Sequence, residues 1–409
     1  MNGKVAILPW ADVIEDYLDP LGTSVEGFAT AMSGGWLFGY AEALSRVGIG
    51  ACVICFSRER TTRRFVHPQT GVVTVALPVS PAYCRFRAHP LFKFRPIGQF
   101  LDRLATPVGD LTRVLREENV TIVLCQEYEY HRAAAALAAG RATGAKVFAT
   151  FQGGFPSDFW LERTGRARAI REMDGLIIAS QAELRRVLDT YRISPAKVAM
   201  VPNPLDIDRW QPTDRATARR ELGLPEEAGI VICHGRIDIY RKGVDILLQA
   251  WRALVSENAE RDWRLHLVGT GSGEEELRRI VAADPVPGLR WTAYTADRAV
   301  MRRELSAADL YVSASRNEGF AVAPLEAMAC GLPVILSTAP GSAEMLPNGN
   351  ASGGIITPIG DVKALRSALG GLLNDPQIRE RMGRAARVRV ASFAGLDQVG
   401  AQLRSALGL

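Results

Sequence analysis

Short apolar runs alternate with amphipathic segments along the chain, and this alternation predicts strands separated by helices. The apolar runs lack a polar face, as strands buried on both sides do, whereas the intervening segments repeat apolar residues every three or four positions. In the first half of the chain, strands are predicted at Val5 to Leu8, Ala51 to Phe56, Val72 to Leu77, Thr121 to Cys125, Lys146 to Phe151, Leu176 to Ala179 and Val198 to Val201. Predicted helices include Gly39 to Val47, His131 to Ala142 and Ala182 to Tyr191.

A second series of the same kind follows and predicts a second sheet. Its strands are predicted at Ile230 to Cys233, Leu265 to Val268, Leu289 to Thr292, Leu310 to Ser313, Pro333 to Ser337 and Gly354 to Thr357. Strands that alternate with helices form parallel sheets, so we expect two α/β units. Pro202-Asn203-Pro204 ends the first series, which predicts domains at residues 1–203 and 204–393. The chain then ends in helices, with a break at Phe393 to Gly395.

Two carboxylates, Glu318 and Glu326, bracket a turn between the strand ending at Ser313 and a helix predicted from Pro324 to Cys330. A helix N-terminus leaves backbone N–H groups unpaired and attracts phosphate, while carboxylates accept hydrogen bonds from hydroxyls. A nucleotide sugar carries both kinds of group. A capping acid in a solvated loop is the simpler interpretation for Glu318 alone, but the acid-turn-acid-helix order favours a ligand site.

A second candidate element, upstream, carries Gly235, Arg236 and Lys242 between a strand and a predicted helix. Gly235 lets the backbone turn, Arg236 offers a planar fork of donors, and Lys242 is a compact charge at the start of the helix. An exposed basic loop is the usual interpretation of such a pair. Together with the two carboxylates downstream, the pattern favours a site for a diphosphate.

Both elements resemble signatures of retaining GT-B glycosyltransferases of family 4, and the resemblance covers almost the whole chain. It implies an α/β fold of two Rossmann-like domains with parallel sheets facing a central cleft. The first domain would be on the acceptor side, the second would bind the donor, and the C-terminal helix, residues 394–409, would pack back on the first domain. The implied donor is a nucleoside diphosphate sugar, with UDP and GDP both open.

The resemblance also implies roles for individual residues. Arg236 and Lys242 would hold the diphosphate, and Glu318 would orient sugar hydroxyls without being assigned as a covalent nucleophile. Glu326 would hold the ribose diol. Further donor contacts are implied for the glycine pair Gly34 and Gly35, for Gly235, for the loop glycines Gly269 and Gly271, and for the turn residues Gly319, Phe320, Ala321 and Val322. A tight strand-helix turn remains the alternative for Gly269 and Gly271.

Two departures from the family pattern affect the acceptor side. Gln152, followed by Gly153, stands where the family usually carries a histidine. Its amide can hydrogen-bond to a sugar hydroxyl but cannot carry a proton. His131, in the preceding loop, could reach the cleft, although a capping or solvent-facing histidine is the alternative.

The stretch from Pro9 to Ser33 is long for a simple connection and rich in acids. We interpret it as a lid or an acceptor-contacting element, with surface decoration as the alternative. A second unusual stretch, residues 82–100, interleaves basic and aromatic residues and is interrupted by prolines. It suits an anionic membrane surface or a lipid-linked acceptor, or else a basic loop with its aromatics in the core.

Composition narrows the class of protein without identifying a ligand. A chain of 409 residues with 47% hydrophobic and 23% charged residues has room for two full cores and shows no sign of disorder. The net charge of +5 is too small to indicate nucleic-acid binding. Six cysteines, mostly in apolar segments, indicate buried free thiols, and Cys52 and Cys55 lie on one predicted strand rather than in a metal site.

From these features we expect a cytoplasmic enzyme, a glycosyltransferase of the hexosyltransferase type, that acts in bacterial glycan, glycolipid or glycosylated-metabolite synthesis. No signal peptide and no apolar run of bilayer length is recognised, which leaves a peripheral contact with the inner membrane face open. The expected chemistry uses no metal and no cofactor. A sugar-nucleotide epimerase and a non-catalytic relative remain alternatives, because Gln152 and Ala321 depart from the family pattern. The sugar, the acceptor and the oligomeric state stay open.

Overall fold

The computed structural model describes residues 3–32, 35–87, 89, 102–154, 160–295 and 297–409. The chain divides into two compact units. Unit 1 comprises Met1–Pro204 with Leu396–Leu409, and unit 2 comprises Leu205–Gly395. These limits lie within two residues of those expected from the sequence.

Unit 1 contains an eight-stranded sheet in the order β3-β4-β2-β1-β5-β6-β7-β8. All neighbouring strands are parallel except β3, which runs antiparallel to β4 at one edge. The strands are β1 Lys4–Leu8, β2 Ala51–Ser57, β3 Arg63–Val66, β4 Val73–Pro78, β5 Val120–Gln126, β6 Lys146–Thr150, β7 Gly175–Ile178 and β8 Val198–Met200. Only β3 was not predicted, because Arg63 and Arg64 make this short, solvent-facing edge strand look like a loop.

Helices cover both faces of this sheet, as the buried strands require. They are α1 Glu15–Leu18, α2 Val25–Ala31, α3 Gly35–Arg46, α4 Pro81–Arg87, α5 Val108–Glu117, α6 Arg132–Thr143, α7 Trp160–Glu172 and α8 Gln181–Tyr191. Short 3-10 turns lie at Asp19–Leu21, Asp102–Leu104 and Pro195–Lys197.

The long connection after β1 is neither a detachable lid nor surface decoration, which corrects two of the interpretations given above. It folds into α1, a 3-10 turn and α2, and its apolar residues join the core of unit 1. Ile14 and Leu18 are buried four residues apart, and Phe28 packs against Phe38 with ring centroids 5.3 Å apart. The frequent acids of this stretch concealed that helical repeat.

Unit 2 contains a six-stranded parallel sheet in the order β11-β10-β9-β12-β13-β14. The strands are β9 Gly229–His234, β10 Trp263–Val268, β11 Leu289–Thr292, β12 Leu310–Ser313, β13 Val334–Ser337 and β14 Gly354–Thr357. The helices are α9 Arg215–Glu221, α10 Val244–Ser256, α11 Glu274–Ala283, α12 Arg298–Ala307, α13 Ala323–Ala329, α14 Ser342–Met345, α15 Val362–Asn374 and α16 Pro376–Ala394, with a 3-10 turn at Gly349–Ser352. The α/β class with two Rossmann-like units is therefore confirmed.

The last helix, α17 Leu396–Leu407, returns to unit 1, as the resemblance implied. Its buried residues Val399, Leu403 and Leu407 belong to the core beneath α3. Gly400 makes this approach close, because a Cβ built on it would lie 2.3 Å from the Ala43 carbonyl oxygen. None of the helices in the described part of the chain is long and apolar enough to cross a membrane.

The substitution Gly400→Ala should therefore destabilise unit 1 by about 1 to 3 kcal/mol, because a methyl group cannot fit without displacing α3 or α17. Chemical denaturation measures the effect. The matched control is Gly371→Ala in α15, where an added Cβ meets nothing within 4 Å. There the same change should stabilise the helix by about 0.5 to 1 kcal/mol. Equal behaviour of the two variants would contradict the close packing.

Candidate active site at the carboxyl edge of the second sheet

The predicted donor residues of unit 2 lie where the strand order reverses. In the sheet, β9 lies between β10 and β12. The strands β10 and β11 extend the sheet on one side of β9, and β12, β13 and β14 extend it on the other side. The carboxyl ends of β9 and β12 therefore flank the crevice in which α/β sheets bind ligands. Arg236 and Lys242 follow β9, whereas Glu318 and Glu326 follow β12.

A clamp of polar contacts joins the loops after β9 and β12. Arg316 donates to both carboxylate oxygens of Asp245, at 2.8 and 2.7 Å, and to the Tyr240 carbonyl oxygen at 2.7 Å. Its guanidinium also lies 4.5 Å from the centroid of the Tyr240 ring. These contacts occupy Arg316, so this arginine holds the two loops together. No pattern along the chain indicated this role, since the partners are about seventy residues apart.

Gly243 is where the two loops come closest. It has φ +63, and a Cβ on it would lie 2.0 Å from the Ala314 carbonyl oxygen. Only glycine fits such a position. The close approach brings the neighbouring Lys242 to Glu318, and Lys242 Nζ donates to Glu318 Oε1 at 2.6 Å.

Glu318 is fixed as well as paired. Ser315 Oγ donates to the same carboxylate oxygen at 2.7 Å, and only 8% of the Glu318 surface is exposed. The structure thus brings together two residues whose roles were predicted separately. Lys242 and Arg236 line the same small pocket as Glu318, and Arg236 makes no hydrogen bond or ion pair with any other residue in the described part of the chain.

Glu326 is paired with a histidine that sequence reasoning missed. His234 Nε2, at the end of β9, lies 3.5 Å from Glu326 Oε2. Burial raises the pKa of Glu326 to about 8, against the opposing charge of Arg298. Burial lowers the pKa of His234 to about 4, and Lys242 lowers it further, against a hydrogen bond with the Ala323 backbone. Near neutral pH both groups are therefore mainly uncharged, and the pair is a hydrogen-bonding site rather than an ion pair.

The glycine loop after β10 packs on the loop that carries Arg236. A Cβ on Gly269 would lie 1.8 Å from the Gly235 carbonyl oxygen, and one on Gly271 would lie 2.3 Å from the Ile237 carbonyl oxygen. The Ile237 N–H donates to the Thr270 carbonyl oxygen at 2.8 Å. Both loop glycines are therefore explained by protein packing alone, which is the alternative kept open above. Their contact with a donor stays a prediction.

The turn from Gly319 to Val322 leads into α13, as predicted. The Phe320 side chain is 5% exposed and meets the ring of Phe393 edge-on, with centroids 6.4 Å apart. It anchors the turn in the core, so this residue could offer a ligand only its backbone. No side chain caps the N-terminus of α13, and Pro324 lacks an N–H group.

The acceptor-side residues Gln152 and Gly153 lie in unit 1, after β6, and a buried carboxylate organises their loop. Glu127 accepts from the backbone N–H groups of Gln152 and Gly154, at 3.0 and 2.7 Å. Its backbone has φ +102, a strained value for a residue other than glycine. Burial raises the pKa of Glu127 to about 7 against these hydrogen bonds. Sequence reasoning missed Glu127, although the acid directly follows a buried strand.

The remaining predicted residues are described only in part. His131 is half-buried and immediately precedes α6, and Gly35 begins α3 with φ +61. Gly34 lies outside the described residues. So does most of the basic and aromatic stretch at 82–100, of which α4 is described and carries Arg87 in an ion pair with Asp16 at 2.6 Å. No cluster of three or more His, Cys, Asp or Glu side chains that could hold a metal ion occurs within the described ranges.

Comparisons with known protein families match both units of the chain. A model described as "Glycosyltransferase Family 4" matches residues 37–209. A model described as "Glycosyl transferases group 1" matches residues 228–375. The two matched ranges correspond to the two structural units.

Two curated relatives and one solved structure illustrate the similarity. A D-inositol 3-phosphate glycosyltransferase from Kineococcus radiotolerans is 31% identical over 56% of this chain and 56% of its own length. A GDP-mannose-dependent phosphatidylinositol monomannoside mannosyltransferase from Corynebacterium glutamicum is 30% identical over 61% of this chain and 66% of its own. The match therefore spans between about half and two thirds of these relatives. Anabaena HepE, solved with UDP and glucose, has a TM-score of 0.71 at 16% identity over 99% of each chain, which shows a shared fold.

The Glu326 carboxyl group should titrate near pH 8 in the folded protein, in contrast to 4.5 for an ordinary glutamate. Carbon-13 NMR of labelled glutamate side chains measures this, with Glu326→Gln to assign the signal. Between these two pH values the folded state binds one more proton than the unfolded chain. The free energy of unfolding should therefore fall as pH rises from about 5 to 8, more steeply than in Glu326→Gln. Parallel pH profiles for the two proteins would refute the assignment.

Proposed function

Because the chain belongs to the group 1, family 4 glycosyltransferases of GT-B fold, we propose that it transfers a sugar from a nucleoside diphosphate donor to an acceptor hydroxyl. Retention of the anomeric configuration and independence from metal ions are part of the proposal. The observation that carries it is the Lys242–Glu318 pair beside Arg236, at the crevice where the sheet of unit 2 reverses its strand order. This set offers two cations for a diphosphate and one fixed acid for a sugar.

The leaving diphosphate is stabilised by Lys242 and Arg236. An ammonium group has three N–H donors, and Glu318 occupies only one of those on Lys242. Two remain for phosphate oxygens, together with the planar fork of Arg236. A cation about 4 Å from a phosphate charge contributes about 4 kcal/mol at an effective dielectric constant of about 20. These groups are already oriented, so little reorganisation is needed as charge develops on the leaving group.

The two glutamates contact hydroxyl groups. Glu318, held by Lys242 and Ser315, orients the hydroxyls of the transferred sugar, and we do not assign it as a nucleophile. Glu326 holds the ribose diol. In its protonated state a carboxylic acid donates one hydrogen bond and accepts another, so Glu326 and His234 together match a pair of vicinal hydroxyls.

Only the relatives and fold neighbours narrow the choice of donor nucleotide and acceptor. One relative is named for GDP-mannose and a solved fold neighbour was studied with UDP, so both nucleotides belong in the first test. Incubation of each sugar nucleotide with and without candidate acceptors separates the alternatives. An epimerase would convert the donor alone, and a non-catalytic relative would bind it without turnover.

Lys242→Ala should lower kcat/KM for sugar transfer by about two to three orders of magnitude, which corresponds to about 2 to 4 kcal/mol of lost transition-state stabilisation. Glu326→Ala should lower it similarly through lost donor binding. The matched control is Lys363→Ala, which removes an exposed lysine of α15. Initial rates with saturating acceptor provide the measurement. Turnover within a factor of three of wild type in Lys242→Ala would rule out its role at the leaving group.

Sugar transfer should persist in EDTA, because the proposed neutralisation of the diphosphate uses Arg236, Lys242 and backbone N–H groups. We expect less than a twofold change in initial rate after chelation. Complete loss that is restored by Mg²⁺ or Mn²⁺ would show that the leaving group requires a metal ion.

A further inference from the structure

Unit 1 has a strand-order reversal of its own. In its sheet β1 has β2 on one side and β5 on the other. Leu8 pairs with Cys125, so the segment that follows Leu8 and the segment that leads to Arg132 leave the sheet at the same edge. Such a reversal is the preferred ligand-binding position of an open parallel sheet.

A buried guanidinium at this edge is not fully satisfied. Arg132, the first residue of α6, is 2% exposed, donates to the Pro9 carbonyl oxygen and lies 4.7 Å from the centroid of the Phe56 ring. Its Nε and Nη2 atoms have no hydrogen-bond partner. Buried polar groups of this kind are almost always paired, so the exception needs a physical explanation.

The group that faces Arg132 is Asp12. Asp12 Oδ1 lies 3.9 Å from Arg132 Nη2, too far for a hydrogen bond, and is itself without a partner. The Asp12 side chain is 13% exposed, compared with 1% for that of Arg132, and its Oδ1 atom is buried, so a ligand approaches this pair from the Asp12 side. Burial raises the pKa of Asp12 to about 7 against the charge of Arg132. A hydroxyl that donated to this carboxylate would stabilise its charge and draw it towards the guanidinium.

Three aromatic side chains belong to the two segments that leave the sheet at this edge. The ring of Trp10 lies 5.8 Å from that of Tyr17, edge-on, and 6.3 Å from that of Tyr130, and all three rings are only half-buried. A partly exposed aromatic face at the same edge as the Asp12 carboxyl group is suited to a ring with an apolar C–H face and polar hydroxyl edges.

The charge around Asp12 does not suit a phosphate. Among the described residues, the ionisable groups with the largest effect on Asp12 are Arg132, Arg87, Asp16 and Asp102, so three carboxyl groups including Asp12 accompany two guanidiniums. Arg132 is sequestered, and Arg87 is engaged with Asp16 at 2.6 Å. The segment Pro9 to Met32 itself contributes five acids and no Lys or Arg. Of the two described cations that act on Asp12, neither is therefore available to an anion, whereas a neutral hydroxyl needs none.

We propose that Trp10, Asp12 and Tyr130 form a binding site for a neutral, hydroxyl-rich ring, a sugar or a cyclitol without phosphate on the part that contacts Asp12. Arg132 is a positioning residue that holds Asp12 and the Pro9 backbone. The inference rests on the proposed function in one respect, namely that this ring is the acceptor. A neutral acceptor would distinguish this chain from relatives named for D-inositol 3-phosphate, a compound that carries a phosphate group.

The experiment measures binding to the full chain by NMR saturation transfer and calorimetry, with saturating UDP or GDP present. The probes are myo-inositol and methyl α-mannopyranoside, compared with D-inositol 3-phosphate and inorganic phosphate. We expect a neutral ring to bind more tightly than its phosphorylated counterpart. Asp12→Asn should weaken that binding at least tenfold. Asp19→Asn, an acid of the same segment that pairs with Arg58, is the matched control and should stay within twofold of wild type.

A second variant tests the role of Arg132. Arg132→Lys keeps the positive charge but loses the planar set of guanidinium N–H donors. A thermal melt checks that the variant folds. Because a weaker cation partner stabilises the Asp12 carboxylate less, the pH midpoint for ring binding should move above the wild-type value. An unchanged midpoint in the folded variant would overturn the positioning role.

The binding proposal is overturned if the phosphorylated ring binds more tightly, if Asp12→Asn binds like wild type, or if neither neutral ring binds at millimolar concentration. Failure of the proposed transfer reaction has a different signature. In that case the neutral ring still binds and Asp12→Asn still weakens it, but no sugar nucleotide is turned over. Nucleotide binding, unaffected by Asp12→Asn, provides the independent readout for the donor site.

Discussion

The approach of Gly243 to the Ala314 carbonyl oxygen is the constraint on which the candidate donor site depends. At a Cβ distance of 2.0 Å no other residue fits, so the loops after β9 and β12 meet only because this position has no side chain. The Arg316–Asp245 pair then locks the contact. Without this meeting Lys242 would lie on one loop and Glu318 on another, and the pocket would not combine a cation with a fixed acid.

Both units carry a mostly buried, incompletely paired acid and base at the edge where the strand order reverses. In unit 2 the pair is Glu326 with His234, 3.5 Å apart, and in unit 1 it is Asp12 with Arg132, 3.9 Å apart. Burial raises the pKa of both acids towards or above neutrality. Such arrangements are unfavourable for stability unless something completes the hydrogen bonding. Both pairs lie at the edge where open parallel sheets bind ligands.

Glu127 shows a third use of a buried carboxylate. Its side chain is not predicted to bind a ligand. It accepts hydrogen bonds from backbone N–H groups and so arranges the loop that carries Gln152. Its strained backbone is held because the surrounding loop hydrogen bonds specify it. Glu127 therefore holds the backbone of Gln152, where the resemblance implied a histidine, while the Gln152 amide donates to Thr150 Oγ1 at 3.1 Å.

The sequence by itself determined the elements and the chemical inventory. Apolar runs located thirteen of the fourteen described strands, and the spacing of Glu318 and Glu326 with Arg236 and Lys242 predicted groups for a nucleotide sugar, because these signals are local in the chain. The contacts between functional side chains, in contrast, join residues that are distant in the chain. Lys242 with Glu318, Glu326 with His234, and Asp12 with Arg132 are each separated by about seventy residues or more. Only the order of parallel strands brought them to the same edges, and burial in the folded units shifts the pKa values of Asp12, His234 and Glu326 towards their uncharged forms.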